Sequence, residues 1–400
     1  MSGEDARDGR GQAPHEAQRL STSRLFLIVL IFLALAAYAI WNSDRFQSLF
    51  QGVSQQRLSE LLQRPVRFQR VDFHIFPPSI TLADVSIGND PRTPEEPLLA
   101  AAELTIGGGM SVTGGELRFG RVRAVRPRIL LTQFPDGTWN LPPGLTGPAG
   151  KGGLKVRVGE LVVAQGLLRF EGRKMGLDGR FEGFAVEVTA LPGNRYRGTL
   201  ACRKITLGLP SAEPLVFGLD LSFRVDPERG ASIEALRANG EFGELRAAGS
   251  IENFQHPAIL LLASGDLHVL EVERVFRLKL GFAGDASVRA NIRVAGGQFR
   301  ITGDVASQRI DAQGFPIEDL QATVFARPER LLARIEKARY AGGDASGVFR
   351  IENLTGRGPQ PMTLVLDAKR ISLERFFGDL KLPGTGLSGA AALTASLRWA

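Results

Sequence analysis

Residues 286–294 read ASVRANIRV, and apolar side chains alternate there with serine, arginine and asparagine. The same period of two appears in residues 219–226, which read LDLSFRVD, and in residues 362–368, which read MTLVLDA. Successive side chains of a strand point to opposite faces, so this alternation predicts a sheet with one apolar and one hydrated face. The apolar face must be covered, so the chain forms a sandwich, closes into a barrel or curls into a groove that holds an apolar ligand.

Nine alternating residues are our candidates for the lining of such a groove. They come from three separate stretches of the sequence: Leu219, Leu221, Phe223, Val225, Val288, Ile292, Val294, Leu364 and Leu366. Composition does not distinguish this role from the packing of a sandwich core, so both interpretations stay open.

Part of the pattern recurs after about 100 residues, which favours a several-stranded unit used more than once. Residues 251–253 and 351–353 both read IEN. Each copy is followed by a strand-like stretch (259–263; 362–368), a helix-like stretch (267–276; 371–377) and a glycine turn leading to a further strand (281–294; 386–397). The second copy stops within an apolar strand, and from this we expect the 400 residues to be the amino-terminal part of a longer protein.

The longest apolar run extends from Leu25 to Trp41 and reads LFLIVLIFLALAAYAIW, without charge or proline. A helix of this length covers roughly 26 Å, which is close to the thickness of a bilayer core. A cleaved signal peptide with Ala37–Ala39 as its exit is the alternative, but the polar lead-in is long for one. Arg19 and Arg24 precede the run, so we expect the amino terminus in the cytoplasm and the bulk of the chain on the other side.

These observations divide the chain into six segments. They are a disordered cytoplasmic tail (1–24), a transmembrane helix (25–41), an amphipathic linker helix (42–64), an N-terminal β module (65–141), a glycine- and proline-rich linker (142–153) and repeated β-groove units (154–400).

Charge and composition argue against several classes of function. The formal net charge is +7. A chain held outside the cytoplasm rarely meets nucleic acid, so anionic lipid headgroups are the better candidates for binding this charge. Cys202 is the only cysteine, so no intrachain disulfide forms. The four histidines lack metal-ligand spacing, and no GxSxG motif occurs. We therefore expect no enzyme activity, catalytic residue, bound metal or cofactor.

Three stretches resemble the AsmA-like and TamB-like proteins. Residues 64–87 are similar to the strand, proline turn and strand that open AsmA-like chains. Residues 127–131 (PRILL) followed by 136–141 (DGTWNL) resemble a segment that often comes next in that family. Residues 340–351, which begin YAGGD, resemble its repeated part. Asp136, Gly137 and Asn140 within these stretches fit a turn that holds two strands, and we interpret them as structural.

The resemblance implies an anchor in the cell inner membrane and an elongated, curled, antiparallel β-groove in the periplasm, with repeated units and a few short helices. Such proteins are similar to bridge-like lipid transporters, so it implies phospholipid as cargo and a role in outer-membrane biogenesis. A TamB-like factor for assembly of outer-membrane β-barrel proteins is the first alternative. Its Omp85-type partner would bind a far carboxyl-terminal part, which we expect to lie beyond these 400 residues. An anchored hydrolase or sugar-binding β-sandwich is the second alternative.

Overall fold

The computed structural model describes residues 44–74, 76–113, 116–142, 155–174, 176–208, 213–254, 257–276, 281–296, 298–354, 359–382 and 386–399. The chain divides into two compact units, Met1–Gly52 and Val53–Ala400. Strands make up 70% of the structure, and all twenty belong to one long curled sheet in the second unit. The predicted mainly-β class with a few short helices is therefore confirmed.

The predicted transmembrane segment from Leu25 to Trp41 lies outside the described residues. Within the described ranges, no helix combines the length and apolarity needed to cross a membrane. Three helices are described: α1 (Asp44–Leu62), α2 (Val269–Phe276) and α3 (Leu373–Asp379). The first falls within the linker helix predicted at 42–64.

The strands are long, and most are joined by short turns. Their bounds are β1 (Val66–Arg67), β2 (Arg70–His74), β3 (Ser79–Ile87), β4 (Leu99–Thr113), β5 (Glu116–Val125), β6 (Arg128–Gln133), β7 (Lys155–Gly172), β8 (Leu177–Leu191), β9 (Arg195–Gly208), β10 (Leu215–Asp226), β11 (Gly230–Gly240), β12 (Gly243–Glu252), β13 (Ala258–His268), β14 (Phe282–Ala295), β15 (Gln298–Ala312), β16 (Phe315–Arg327), β17 (Arg330–Tyr340), β18 (Gly343–Glu352), β19 (Met362–Ser372) and β20 (Ala390–Trp399).

From β7 to β20 the sheet is a meander in which each strand pairs antiparallel with the next in sequence. The amino-terminal part is less regular. Both β1 and β2 pair with β3, which pairs with β4. Next, β5 and β6 lie end to end between β4 and β7, and both run parallel to β7. The predicted β module and the predicted groove units therefore share one continuous sheet.

The break between β5 and β6 has a local cause. Pro127 has no backbone N–H to give to a ladder. Its carbonyl still accepts a hydrogen bond from the N–H of Leu167 on β7 (2.7 Å). Arg126 beside it adopts a left-handed φ of 49°. The strand therefore bends at this point but stays within the sheet.

The turn after β6 is held by a fully buried asparagine. The Asn140 side chain accepts from the Thr132 N–H (2.9 Å) and donates to the Leu130 carbonyl and the Asn89 side chain (both 2.8 Å). Asp136 accepts from the backbone and hydroxyl of Thr138, and these bonds lower its pKa. These contacts hold the turn, as the structural interpretation of this motif expects.

A buried carboxylate lies beside the same turn. Asp90 accepts hydrogen bonds from Arg92 (3.0 Å) and Arg64 (2.9 Å) and is only 8% exposed. The bond from Arg92 is the main reason that the pKa of Asp90 falls to about 2, against the opposing effect of its burial.

The order of elements around the two IEN sequences is the same in the structure. In the first copy β12 and β13 lead into α2 and then β14, and in the second β18 and β19 lead into α3 and then β20. Alternate strands of a meander run in the same direction, so β13 and β19 end on the same rim of the sheet. The two helices consequently lie on one rim, six strands apart.

Candidate functional site

An unbroken row of apolar residues crosses the sheet. Directly paired residues of neighbouring strands have their side chains on the same face, so the register shows which residues are neighbours. We call the row through Leu221 the central row, and it crosses eighteen strands without a polar member. It consists of Val71, Leu82, Leu104, Ala124, Val163, Val186, Leu200, Leu221, Leu236, Ala247, Ala263, Ala290, Gly303, Val324, Ala333, Phe349, Leu364 and Leu397.

Two parallel rows flank the central row on the same face, and both contain only apolar residues and glycine. The first flanking row crosses the twelve strands from β9 to β20 through Cys202, Leu219, Ala238, Leu245, Gly265, Val288, Val305, Ala322, Ile335, Gly347, Leu366 and Ala395. The second flanking row crosses seventeen strands through Phe73, Ile80, Ile106, Val122, Leu161, Val188, Gly198, Phe223, Ile233, Gly249, Leu261, Ile292, Ile301, Ala326, Leu331, Ile351 and Met362.

These three rows form a continuous apolar surface on one face of the curled sheet, and we call this surface the trough and the three rows its floor. Neighbouring strands lie about 4.8 Å apart, so the central row is about 80 Å long when followed across the sheet. Alternate residues of a strand lie about 6.8 Å apart, which makes the three rows about 14 Å wide.

All nine predicted lining residues lie on this face. Seven belong to the three rows, while Val225 and Val294 belong to a shorter row beside them. All nine are partly exposed, neither fully buried nor fully open. Leu219, Leu364 and Leu366 pack against buried clusters, whereas the other six take part in none of the clusters formed by described residues.

The opposite face is hydrated and carries paired charges. On β11 and β12, Arg237 and Arg246 both donate to Glu244, at 2.9 and 2.6 Å. These bonds, with that from Arg246 the stronger, lower the pKa of Glu244. Arg289 and Arg293 lie on this same face and are exposed, so they point away from the trough.

The hydrated face also contains a hollow of about 1050 Å³ around the start of β14. Within it, His268 Nδ1 lies 2.6 Å from Asp285, and the Ser287 hydroxyl donates to Asp266 at 2.6 Å. The serine and the histidine therefore contact different carboxylates, which is not the relay that a serine nucleophile needs. Among the residues that the structure describes, no group of His, Cys, Asp or Glu side chains is arranged to hold a metal ion. The Cys202 thiol is buried, and burial raises its pKa.

The trough is not uniform along its length. Between residues 215 and 295, which cover β10 to β14 and α2, six described residues are buried, whereas fifteen described residues between 298 and 372 are buried. The second range covers β15 to β19, where Phe315, Tyr340 and Phe376 of α3 stack edge to face over the apolar side. Fewer residues are therefore buried on β10 to β14, which we call the open section, than on β15 to β19, which we call the packed section.

Phe282 and Phe349 meet at the boundary between the two sections. Their ring centroids are 6.0 Å apart, although β14 and β18 are separated by three strands. In a flat sheet these strands would lie about 19 Å apart. The sheet therefore curls between these strands, which brings the start of β14 towards β18 on the apolar face.

A buried glutamate holds this part of β14 in place. The Glu273 carboxylate of α2 is only 6% exposed and accepts hydrogen bonds from the N–H groups of Gly281 (3.0 Å) and Phe282 (2.8 Å). Arg274 next to it pairs with Glu213, Glu241 and Glu271, so α2 is tied to the rim by polar contacts. The alternation of residue types does not predict the hydrogen bonds of Glu273 or the contact between Phe282 and Phe349. None of these three residues is therefore among the candidates named from the sequence.

No family model matches this chain, and neither the curated proteins nor the solved structures contain a significant match.

Proposed function

We propose that this protein is anchored in the cell inner membrane and carries phospholipid acyl chains along its apolar trough towards the outer membrane. The observation that supports this proposal is the central row, which crosses eighteen strands without a polar residue. A sandwich core needs a second sheet against this face, whereas the described strands all belong to one sheet.

The physical basis is solvation of acyl chains by the trough. Each CH₂ group removed from water contributes about 0.8 kcal/mol, whichever part of the trough it contacts. Because the rows repeat the same kind of side chain, neighbouring positions bind an acyl chain about equally. A lipid can then slide from strand to strand with its headgroup at the water, and no single residue is indispensable.

The proposed location depends on the sequence. The run from Leu25 to Trp41 is apolar and long enough to act as a single-pass anchor, and the arginines before it favour a periplasmic body. The resemblance to AsmA-like proteins supports the same location and a role in outer-membrane biogenesis.

Photo-crosslinking tests the proposal with controls built into the same strands. A photoreactive amino acid replaces Leu221 or Val288 in the trough, or the adjacent outward-facing Asp220 or Arg289. The full chain is then mixed with vesicles that contain a fluorescent phosphatidylethanolamine. We expect lipid adducts from the two trough positions and at most background from the two outward positions.

The other outcomes separate the alternatives. Equal capture at all four positions means non-specific contact and refutes the trough as the binding surface. Capture of unfolded outer-membrane β-barrel protein in place of lipid favours a TamB-like assembly factor. Capture of neither favours the anchored hydrolase or sugar-binding sandwich.

A further inference from the structure

We propose that Phe282 and Phe349 form an aromatic constriction that separates the open section of the trough from its packed section. Acyl chains then bind freely along β10 to β14 and reach β15 to β19 only when the two rings part. The inference rests on the proposed function, because a constriction matters only if acyl chains move along the trough.

The first support is that the contact joins two opposite rims of the sheet. Phe282 begins β14 on the rim that carries α2, whereas its neighbours in the cluster include Leu331 and Leu354, which lie at the other rim. Buried Ile351 and Met362 belong to the same cluster. The start of β14 therefore lies against the floor rows of β17 to β19 here, while in the rows on β10 and β14 the side chains remain partly exposed.

The second support is that the backbone beside one of the two rings is held. Glu273 accepts one hydrogen bond from the N–H of Gly281 and one from the N–H of Phe282, which fixes the start of β14. The Phe282 and Phe349 rings meet at an interplanar angle of 55°. A single aromatic pair is a modest interaction, so the closed pair should reduce access by about five-fold and not abolish it.

The experiment compares two positions in the same flanking row. Val288 lies in the open section and Leu366 in the packed section, and both are partly exposed apolar residues. Each is replaced by the photoreactive amino acid in the full chain, and adducts with fluorescent phosphatidylethanolamine from vesicles are counted. We expect about five-fold fewer adducts at Leu366 than at Val288.

Opening the constriction should reduce this difference. Phe282→Ala is expected to raise capture at Leu366 and to leave capture at Val288 unchanged. Phe282→Leu keeps an apolar side chain without the ring and serves if the alanine variant is unfolded by circular dichroism. Phe299→Ala is the matched control. Phe299 is on β15 and its side chain lies on the apolar face of the sheet, as that of Phe282 does, but it makes no ring contact with a described residue.

Each result has one meaning. Equal capture at Val288 and Leu366 in the unaltered chain overturns the constriction while leaving the proposed function intact. The constriction is also refuted if neither Phe282 variant changes the ratio, or if Phe299→Ala changes it equally. Absence of capture at Val288 refutes the proposed function, and with it the constriction.

Discussion

Replacing Glu273 by alanine should release the start of β14 from α2. The carboxylate is buried and accepts one hydrogen bond from each of the N–H groups of Gly281 and Phe282. A hydrogen bond to a charged group contributes about 1.5–3 kcal/mol, and the truncation leaves both donors without it. Each amide should therefore exchange with solvent about 10- to 150-fold faster, because 1.4 kcal/mol corresponds to a factor of ten.

Hydrogen exchange followed by mass spectrometry measures this directly at the segment that contains both amides. Glu273→Gln keeps one carbonyl acceptor without the charge and should give an intermediate rate. Glu271→Ala is the control on the same helix, because that side chain makes a partly exposed ion pair with Arg274 and exposed pairs contribute under about 1 kcal/mol. The reasoning fails if Glu273→Ala leaves these amides as protected as Glu271→Ala does.

Three further predictions concern stability. Asn140→Ala removes two buried hydrogen bonds and one partly buried one, and should cost about 3 kcal/mol in urea unfolding followed by tryptophan fluorescence. Exposed Asn291→Ala should cost under about 0.5 kcal/mol, and equal costs would contradict the role of the buried amide. Because the pKa of Asp90 is lowered in the folded state, its contribution to the free energy of unfolding is complete above about pH 4 and disappears as the pH falls towards 2. Asp90→Asn should therefore make the free energy of unfolding depend less on pH between about 4 and 2. An unchanged pH dependence would exclude Asp90 as its cause. A Cβ at Gly303 would lie 2.1 Å from a facing carbonyl oxygen, so Gly303→Ala should lower stability by about 2 kcal/mol. Gly378→Ala has no atom within 4 Å of its Cβ and should be close to neutral in the same thermal melt; a similar loss for both would remove the steric argument.

The sequence predicted those properties that depend on neighbouring residues. Alternation alone placed Leu221 and Val288 on the apolar side and Arg289 on the hydrated side, because the period of a strand is local. The order of elements in the repeat also predicted α2 and α3 between the correct strands.

Properties that depend on distant partners were not predictable in this way. The parallel pairing of β5 and β6 with β7 leaves no trace in a pattern of alternation. Nothing in the sequence separates Leu364 and Leu366, which pack in buried clusters, from Ile292, which does not. The contact between Phe282 and Phe349 arises from the curl of the sheet over four strand pairs, so no short window contains it.

The meander from β7 to β20 also bears on how such a chain is made and how it changes. Every pairing in it joins sequence neighbours, so each new hairpin can dock on the previous one during synthesis, without waiting for a distant segment. For the same reason an extra hairpin can be inserted, or one deleted, while the pairing of the others is preserved. The reach of the molecule is therefore adjustable in steps of about 10 Å per hairpin, by gain or loss of two strands at a time.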